Sequence, residues 1–221
     1  MARVVVTGAN RGIGLALARG FAKRGDEVIA AVRRTSPELQ ALGVEVHEGV
    51  DVGDDASVAR FQKALTGRSI DVLVNNAGVH RPDRLGALDF ADLRFQFEVN
   101  ALGPIRVTEA LLPNLKSGAK VAIITSRSGS IGDNGSGGSL GYRMSKAAVN
   151  MAGVNLALEL KPKGVSVALL HPGMVRTDMG GGGPQSVEPQ DSARRLIARI
   201  DEMTVDNTGK FLHAEGHELP W

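Results

Sequence analysis

The feature that most constrains this chain is its rhythm. Short apolar runs at 3–7, 27–32, 44–50, 70–74, 120–125, 165–170 and 210–213 alternate with helical patterns from end to end. Most of the runs are continuously apolar, as strands covered on both faces are. Between them Ile13, Leu17 and Phe21 recur at helical spacing. Val58, Phe61 and Leu65 do the same behind Asp54 and Asp55, which can cap a helix start. Long helices are expected over 89–116 and 142–161, and a last one follows Pro189 with Ala193, Leu196, Ile197 and Ile200 inward. Strand–helix–strand alternation of this kind closes into a parallel sheet with right-handed crossovers. With 221 residues there is room for one domain. The expected fold is therefore α/β, a single domain over 1–221 with a doubly wound, seven-stranded parallel sheet flanked by helices.

Composition removes several function classes. Cysteine is absent, which excludes disulfides, thiolate metal sites and a cysteine nucleophile. The formal net charge is +2, and aromatics are only 4%. A nucleic-acid groove wants clustered basic residues among aromatics, so no nucleic-acid partner is expected. No apolar run approaches a membrane span, and the chain opens directly on a strand-like run, Arg3-Val4-Val5-Val6. The expected address is the cytosol, with no membrane partner. The five histidines, His47, His80, His171, His213 and His217, are read as lacking ligand-type pairing, and no metal is expected.

The first run leads into Thr7-Gly8-Ala9-Asn10-Arg11-Gly12-Ile13-Gly14 and then into a helix. Strand, glycine loop and helix in this order are what a Rossmann-type dinucleotide site needs. Gly8 allows the tight turn, Gly12 lets backbone approach a pyrophosphate, and Gly14 lets helix pack on strand. The helix N-terminus turns its N–H groups toward the phosphates. On the glycines alone, an ordinary tight turn explains the pattern equally well. The glycine-rich stretches 129–141 and 180–184 follow strand ends, where an open α/β sheet builds its ligand crevice.

Tyr142 is the single tyrosine, and Lys146 follows it by one helical turn. An ordinary surface pair explains that spacing too. If the two face one site, a lysine charge about 4 Å away contributes roughly 4 kcal/mol at an effective dielectric of 20. That is enough to draw a phenol from about 10 toward neutrality, with desolvation opposing. Strand five ends in Thr125-Ser126-Arg127-Ser128, and either serine can bond a substrate carbonyl from there.

Together, TGANRGIG at 7–14, DV at 51–52, NNAG at 75–78, Asn100, Ser126, YRMSK at 142–146 and HPGMVRT at 171–177 resemble the short-chain dehydrogenase/reductase family over essentially the whole chain. The glycine-rich TDMGGGGP and the closing GKFLHAEGHELPW resemble its C-factor and sniffer-like carbonyl reductase branch. The resemblance implies hydride exchange between a nicotinamide and a small carbonyl or secondary alcohol. It implies Tyr142 as acid/base, Lys146 as its partner and ribose ligand, Ser126 on the substrate oxygen, and Asn100 supporting a water-linked proton relay. Asp51 and Val52 would flank the adenine. Asn76, Ala77 and Gly78 would line the cofactor cavity beside Asn10 and Ile13, with Pro172, Gly173, Val175 and Thr177 toward the nicotinamide. The spacing from Ser126 to Tyr142 leaves Ser128 as the competing serine. The short segment after Thr177 has little room for a substrate lid, so an open pocket is expected. A cofactor-binding signalling or redox-sensing protein of the C-factor type is the alternative.

Two further expectations come from the residues. At the end of strand two, where a 2′-hydroxyl reader would place an acid, stands Val32, followed by Arg33. Arg11 lies in the glycine loop. Two guanidinium groups, each worth about 1.5–3 kcal/mol in a charged hydrogen bond, favour a 2′-phosphate and so NADP(H) over NAD(H). The helix from Tyr142 carries Val149, Met151, Val154, Leu156, Leu158 and Leu160, more apolar surface than one packed face uses. With the helix from Asp89 it is expected to form a homodimer interface.

Overall fold

The computed structural model describes residues 1–180 and 182–221; Gly181, in the glycine run 180–184, lies outside the described residues. Seven strands form one sheet: β1 Arg3–Thr7, β2 Glu27–Val32, β3 Glu45–Glu48, β4 Ile70–Asn75, β5 Leu115–Ile124, β6 Ser166–His171 and β7 Phe211–His213. Their order is β3-β2-β1-β4-β5-β6-β7. Every neighbouring pair is parallel. The order reverses after β1, and the crevice at that switch point is where such sheets bind ligands.

The helices are α1 Gly12–Lys23, α2 Pro37–Gln40, α3 Asp55–Ala64, α4 Phe90–Phe97, α5 Gly103–Ala110, α6 Leu140–Leu160 and α7 Pro189–Asp201. Period-two alternation along the strands sends side chains to two separate cores. Val4 and Val6 of β1 point to one face, against Leu17 and Phe21 of α1 and Leu196 and Ile200 of α7. Val5 points to the other, with Phe61 of α3, Val107 of α5 and Val149 and Leu160 of α6. Both faces of the sheet are thus covered, which explains why its strands read as continuous apolar runs. None of the described helices is long and apolar enough to cross a membrane.

Two elements differ from expectation. β5 begins earlier than 120, its added residues pairing Leu115 with Ile70 across a register shift. The helix expected over 89–116 is interrupted. α4 gives way to a π-helical turn, Glu98–Leu102, before α5 begins, and the element ends in a 3-10 turn at Leu112–Asn114. Pro104 supplies a reason: it has no N–H to give to the Asn100 carbonyl four residues back. The interruption falls on Asn100, and single π turns often mark functional positions.

Candidate active site

The glycine loop and the ends of β1, β2, β4, β5 and β6 enclose a cavity of about 450 Å³. That volume lies in the usual range for small-molecule sites. Gly8, Asn10, Arg11, Gly12, Ile13 and Gly14 form one wall, with Arg33, Asp51 and Val52 beyond them. Asn76, Ala77, Gly78, Tyr142, Lys146, Pro172 and Thr177 line the rest.

The loop geometry requires glycine. Gly8 and Gly12 have φ of +66° and +55°. A Cβ on Gly14 would lie 2.2 Å from the Gly8 carbonyl oxygen, so α1 packs against the loop as closely as backbone allows. The opposite wall is tied to this loop. Asn76 Nδ2 donates to the Thr7 and Gly8 carbonyls at 2.9 and 3.2 Å, and the Thr7 hydroxyl accepts from the Asn76 and Ala77 N–H groups at 3.0 Å each. Asn75 is different: it is buried and donates to Thr108 Oγ1 at 3.0 Å, inside the fold.

α6 presents Tyr142 and Lys146 to the cavity one turn apart. The lysine Nζ is 5.7 Å from the phenol ring centroid. Ser126 stands within hydrogen-bonding reach of the phenol, whereas its competitor Ser128 donates its backbone N–H to Ser126 Oγ at 3.1 Å. Lys146 is 5% exposed, and its one hydrogen bond among the described residues goes to the Ile124 carbonyl at 3.0 Å. An ammonium has three donors. Two remain for a ligand, in a place where an isolated charge is costly to bury.

Electrostatics correct one expectation. Burial pushes the Tyr142 phenol above its ordinary value, and the Ser126 hydrogen bond only partly opposes it. Burial also pulls Lys146 down to about 8. In the cofactor-free site desolvation therefore holds the phenol above its ordinary value, in place of the expected drift toward neutrality.

Asn100 lies behind the cavity, buried in the π turn. Its Oδ1 accepts from the Val79 N–H at 2.8 Å. Its Nδ2 donates to the Val79 carbonyl at 2.8 Å and to Ser145 Oγ at 3.0 Å. The side chain thus clamps the segment after β4 to α6. Both of its amide donors are engaged in this clamp, and Oδ1 keeps one acceptor position.

Gly173 and Val175 do not line the cavity. Val175 is buried and pairs with Val187, which folds the segment after β6 back on itself. Arg176, Asp178 and Met179 of that segment reach the cavity instead. Asp178 pairs with Arg11 at 2.6 Å across the opening, so the short segment does cover part of it. That pair joins two distant loops, and neither the glycine motif nor the spacing announces it. Two other surroundings escaped the sequence. The His80 ring stands edge-on to Tyr142 at 5.0 Å and bonds Ser139 Oγ at 3.2 Å. The histidine reading also needs correction: His213 and His217 stand four apart, and a turn brings them beside Glu215 with ligand atoms within 4.8 Å of one another.

The residues fit a dinucleotide. A backbone cradle that excludes Cβ atoms, a buried ammonium with donors to spare and two arginines at the rim suit a pyrophosphate, a ribose diol and a further anion. Comparisons with known proteins agree. A family model described as short chain dehydrogenase matches residues 2–186. A 1-hydroxy-2-glutathionyl-2-methyl-3-butene dehydrogenase of Rhodococcus sp. is 44% identical over 226 residues, covering 100% of both chains. The C-signal protein of Myxococcus xanthus is 48% identical over 156 residues, 69% of this chain and 93% of that one. The crystal structure of NADPH-bound carbonyl reductase from chicken fatty liver superposes with a TM-score of 0.92 at 29% identity, covering 100% of this chain and 99% of that one. With the glycine loop, Tyr142 and Lys146 lining one crevice of a seven-stranded parallel sheet, the chain belongs to the short-chain dehydrogenase family of oxidoreductases.

Proposed function

We propose that this protein is an NADP(H)-dependent carbonyl reductase or secondary-alcohol dehydrogenase in which Tyr142 moves the proton. The observation that carries the reading is that Tyr142 and Lys146 both line the glycine-loop cavity, with Ser126, just outside its lining, within hydrogen-bonding reach of the phenol. The reduced nicotinamide supplies a hydride when bound. Ser126 and Tyr142 hold the substrate oxygen between two hydroxyls. As the carbon is reduced, the Tyr142 phenol gives its proton to that oxygen, and the Lys146 ammonium stabilises the phenolate left behind. With its two unused donors Lys146 also holds the ribose diol, which fixes the distance between the reacting partners. Asn100 keeps the Val79 segment and α6 in register, at the start of the proton route to solvent.

A phosphate-bearing cofactor is favoured by Arg33 at the cavity rim and by the buried Val32 where an acid would repel it. Arg11 joins Arg33 by exchanging the exposed Asp178 carboxylate for the phosphate. A homodimer is supported by stripes of exposed apolar side chains. Met144, Met151 and Leu158 on α6 are 52, 65 and 66% exposed and seven residues apart, and Phe90 and Phe97 on α4 are 62 and 39% exposed at the same spacing. Residues seven apart share a helix face.

The intact Tyr142–Lys146 pair favours catalysis over a sensing role. The test is cofactor consumption by the purified protein with small aldehydes, aromatic ketones and, in the oxidative direction, a glutathionyl-bearing alcohol. Turnover with at least one of them, faster with NADPH or NADP⁺ than with the unphosphorylated cofactor, is expected. Cofactor binding without turnover of any would favour the signalling alternative.

A further inference from the structure

Beyond the catalytic crevice, one cluster of side chains has the donor set and the rigidity of a metal site. β7 turns back on itself immediately after His213. The Gly216 N–H donates to the His213 carbonyl at 2.8 Å, the His213 N–H to the His217 carbonyl at 2.9 Å, and the Leu219 N–H to the Phe211 carbonyl at 2.9 Å. Gly216 takes φ of +102°, which the turn needs and other residues resist. His213 and His217 are therefore cross-strand partners with side chains on one face, and Glu215 sits at the apex between them.

We propose that His213, Glu215 and His217 form a binding site for a divalent transition-metal ion of the zinc class. Two imidazoles and a carboxylate suit such an ion and leave coordination positions for water. The ligand atoms already lie within 4.8 Å of one another. A tetrahedral ion with bonds of about 2.1 Å needs them about 3.4 Å apart, a movement small enough for side-chain rotation alone. The two imidazoles stack with centroids 4.7 Å apart and planes 14° apart, held there by the hairpin. Because the backbone fixes both histidines, little chain entropy is lost when the ion binds.

Two present contacts compete. His213 Nδ1 accepts the Glu215 N–H at 3.1 Å and lies 3.7 Å from the Glu215 carboxylate, which in turn pairs with Arg195 at 2.6 Å. The Glu215 side chain is half exposed, so its pair with Arg195 contributes little. Coordination exchanges both contacts for stronger bonds.

A neighbouring group supports the assignment independently. His171 is in parallel register with His213, and its ring stands edge-on at 5.1 Å, so three imidazoles run in a row across adjacent strands. His171 Nδ1 is buried with no hydrogen-bond partner among the described residues. An orphaned buried nitrogen calls for a partner the polypeptide does not supply. A water on the bound ion is such a partner.

The test is calorimetric titration of the untagged protein with Zn²⁺, with Mg²⁺ as the oxygen-preferring control. One Zn²⁺ per chain is expected, with no Mg²⁺ binding at that site and a higher unfolding temperature in zinc. His217→Ala and Glu215→Gln change exposed side chains, and each should weaken zinc binding at least ~10-fold and remove the thermal shift. Absence of saturable zinc binding to the wild type overturns the proposal. So does His217→Ala protein binding zinc as tightly as wild type, or Mg²⁺ competing on equal terms.

Discussion

In the proposed reaction Lys146 and Tyr142 divide one problem between them at the level of single residues: each would serve catalysis in a place where its charged form is disfavoured. Lys146 is pulled from 10.5 to about 8 by burial. That shift costs about 3 kcal/mol of folding stability wherever the lysine is protonated in both states. Between about 8 and 10.5 the unfolded chain binds more protons at this position than the folded one, so stability rises with pH across that window. Lys146→Met should therefore raise the unfolding temperature of the cofactor-free protein at pH 7 while abolishing turnover, and the gain should shrink toward pH 10. Thermal melts at several pH values check this; a variant less stable than wild type at pH 7 contradicts it. Because Tyr142 is the only tyrosine, its titration is directly visible. The near-ultraviolet phenolate band of the cofactor-free protein should appear only above the ordinary value of 10, and phenolate near neutrality would contradict the burial argument. At the cavity rim, the wild type is expected to prefer NADPH and Arg33→Ala to lose most of that preference through KM, measured as kcat/KM with each cofactor. Tyr142 and Lys146 were legible because two reactive groups one turn apart must share a helix face. The sign of the phenol's shift was not, because it depends on how much water the fold excludes, and spacing carries no record of that.

Elements place these residues, and glycine decides how closely they approach. The 3-10 turn Arg127–Gly129 that follows Ser126 lies directly on the backbone of α6. A Cβ on Gly129 would come 2.7 Å from the Lys146 carbonyl carbon and 2.8 Å from its oxygen. Gly129→Ala must push the serine-bearing turn away from Tyr142. The expected result is a fall in kcat of up to ~10²-fold with cofactor affinity kept, since a displacement of about 1 Å suffices for such a loss. Unchanged kcat would mean that the turn is not what positions Ser126. The limits of β1 and β2 and the start of α1 followed from apolar runs and glycine, whereas the early start of β5 did not. The π turn at Asn100 did not, since Gly103-Pro104 reads equally as a kink or as an end. The folding back of the segment after β6 onto Val187 also escaped, because pairing between loops leaves no periodic signal.

At the scale of the whole molecule, the two-sided burial of the sheet was the most legible property of all. Val4, Val5 and Val6 are all fully buried, and only a sheet covered on both faces can accommodate such a run. Assembly is harder to read, because an apolar helix can be buried by its own chain or by a copy of it. α6 has surface for both: Val149 and Leu160 are in the core, while Met144, Met151 and Leu158 are exposed. Light scattering at micromolar concentration should give the mass of a dimer, and Met151→Glu should shift it toward the monomer; a monomer mass for the wild type contradicts the interface. The central claim, that the crevice transfers hydride with Tyr142 as its acid, is tested most directly by Tyr142→Phe. Carbonyl-dependent NADPH consumption and cofactor affinity should be measured in parallel for variant and wild type. The variant should keep a fold and a cofactor Kd like wild type, with turnover lower by at least ~10²-fold. Near-wild-type turnover in the variant would contradict it.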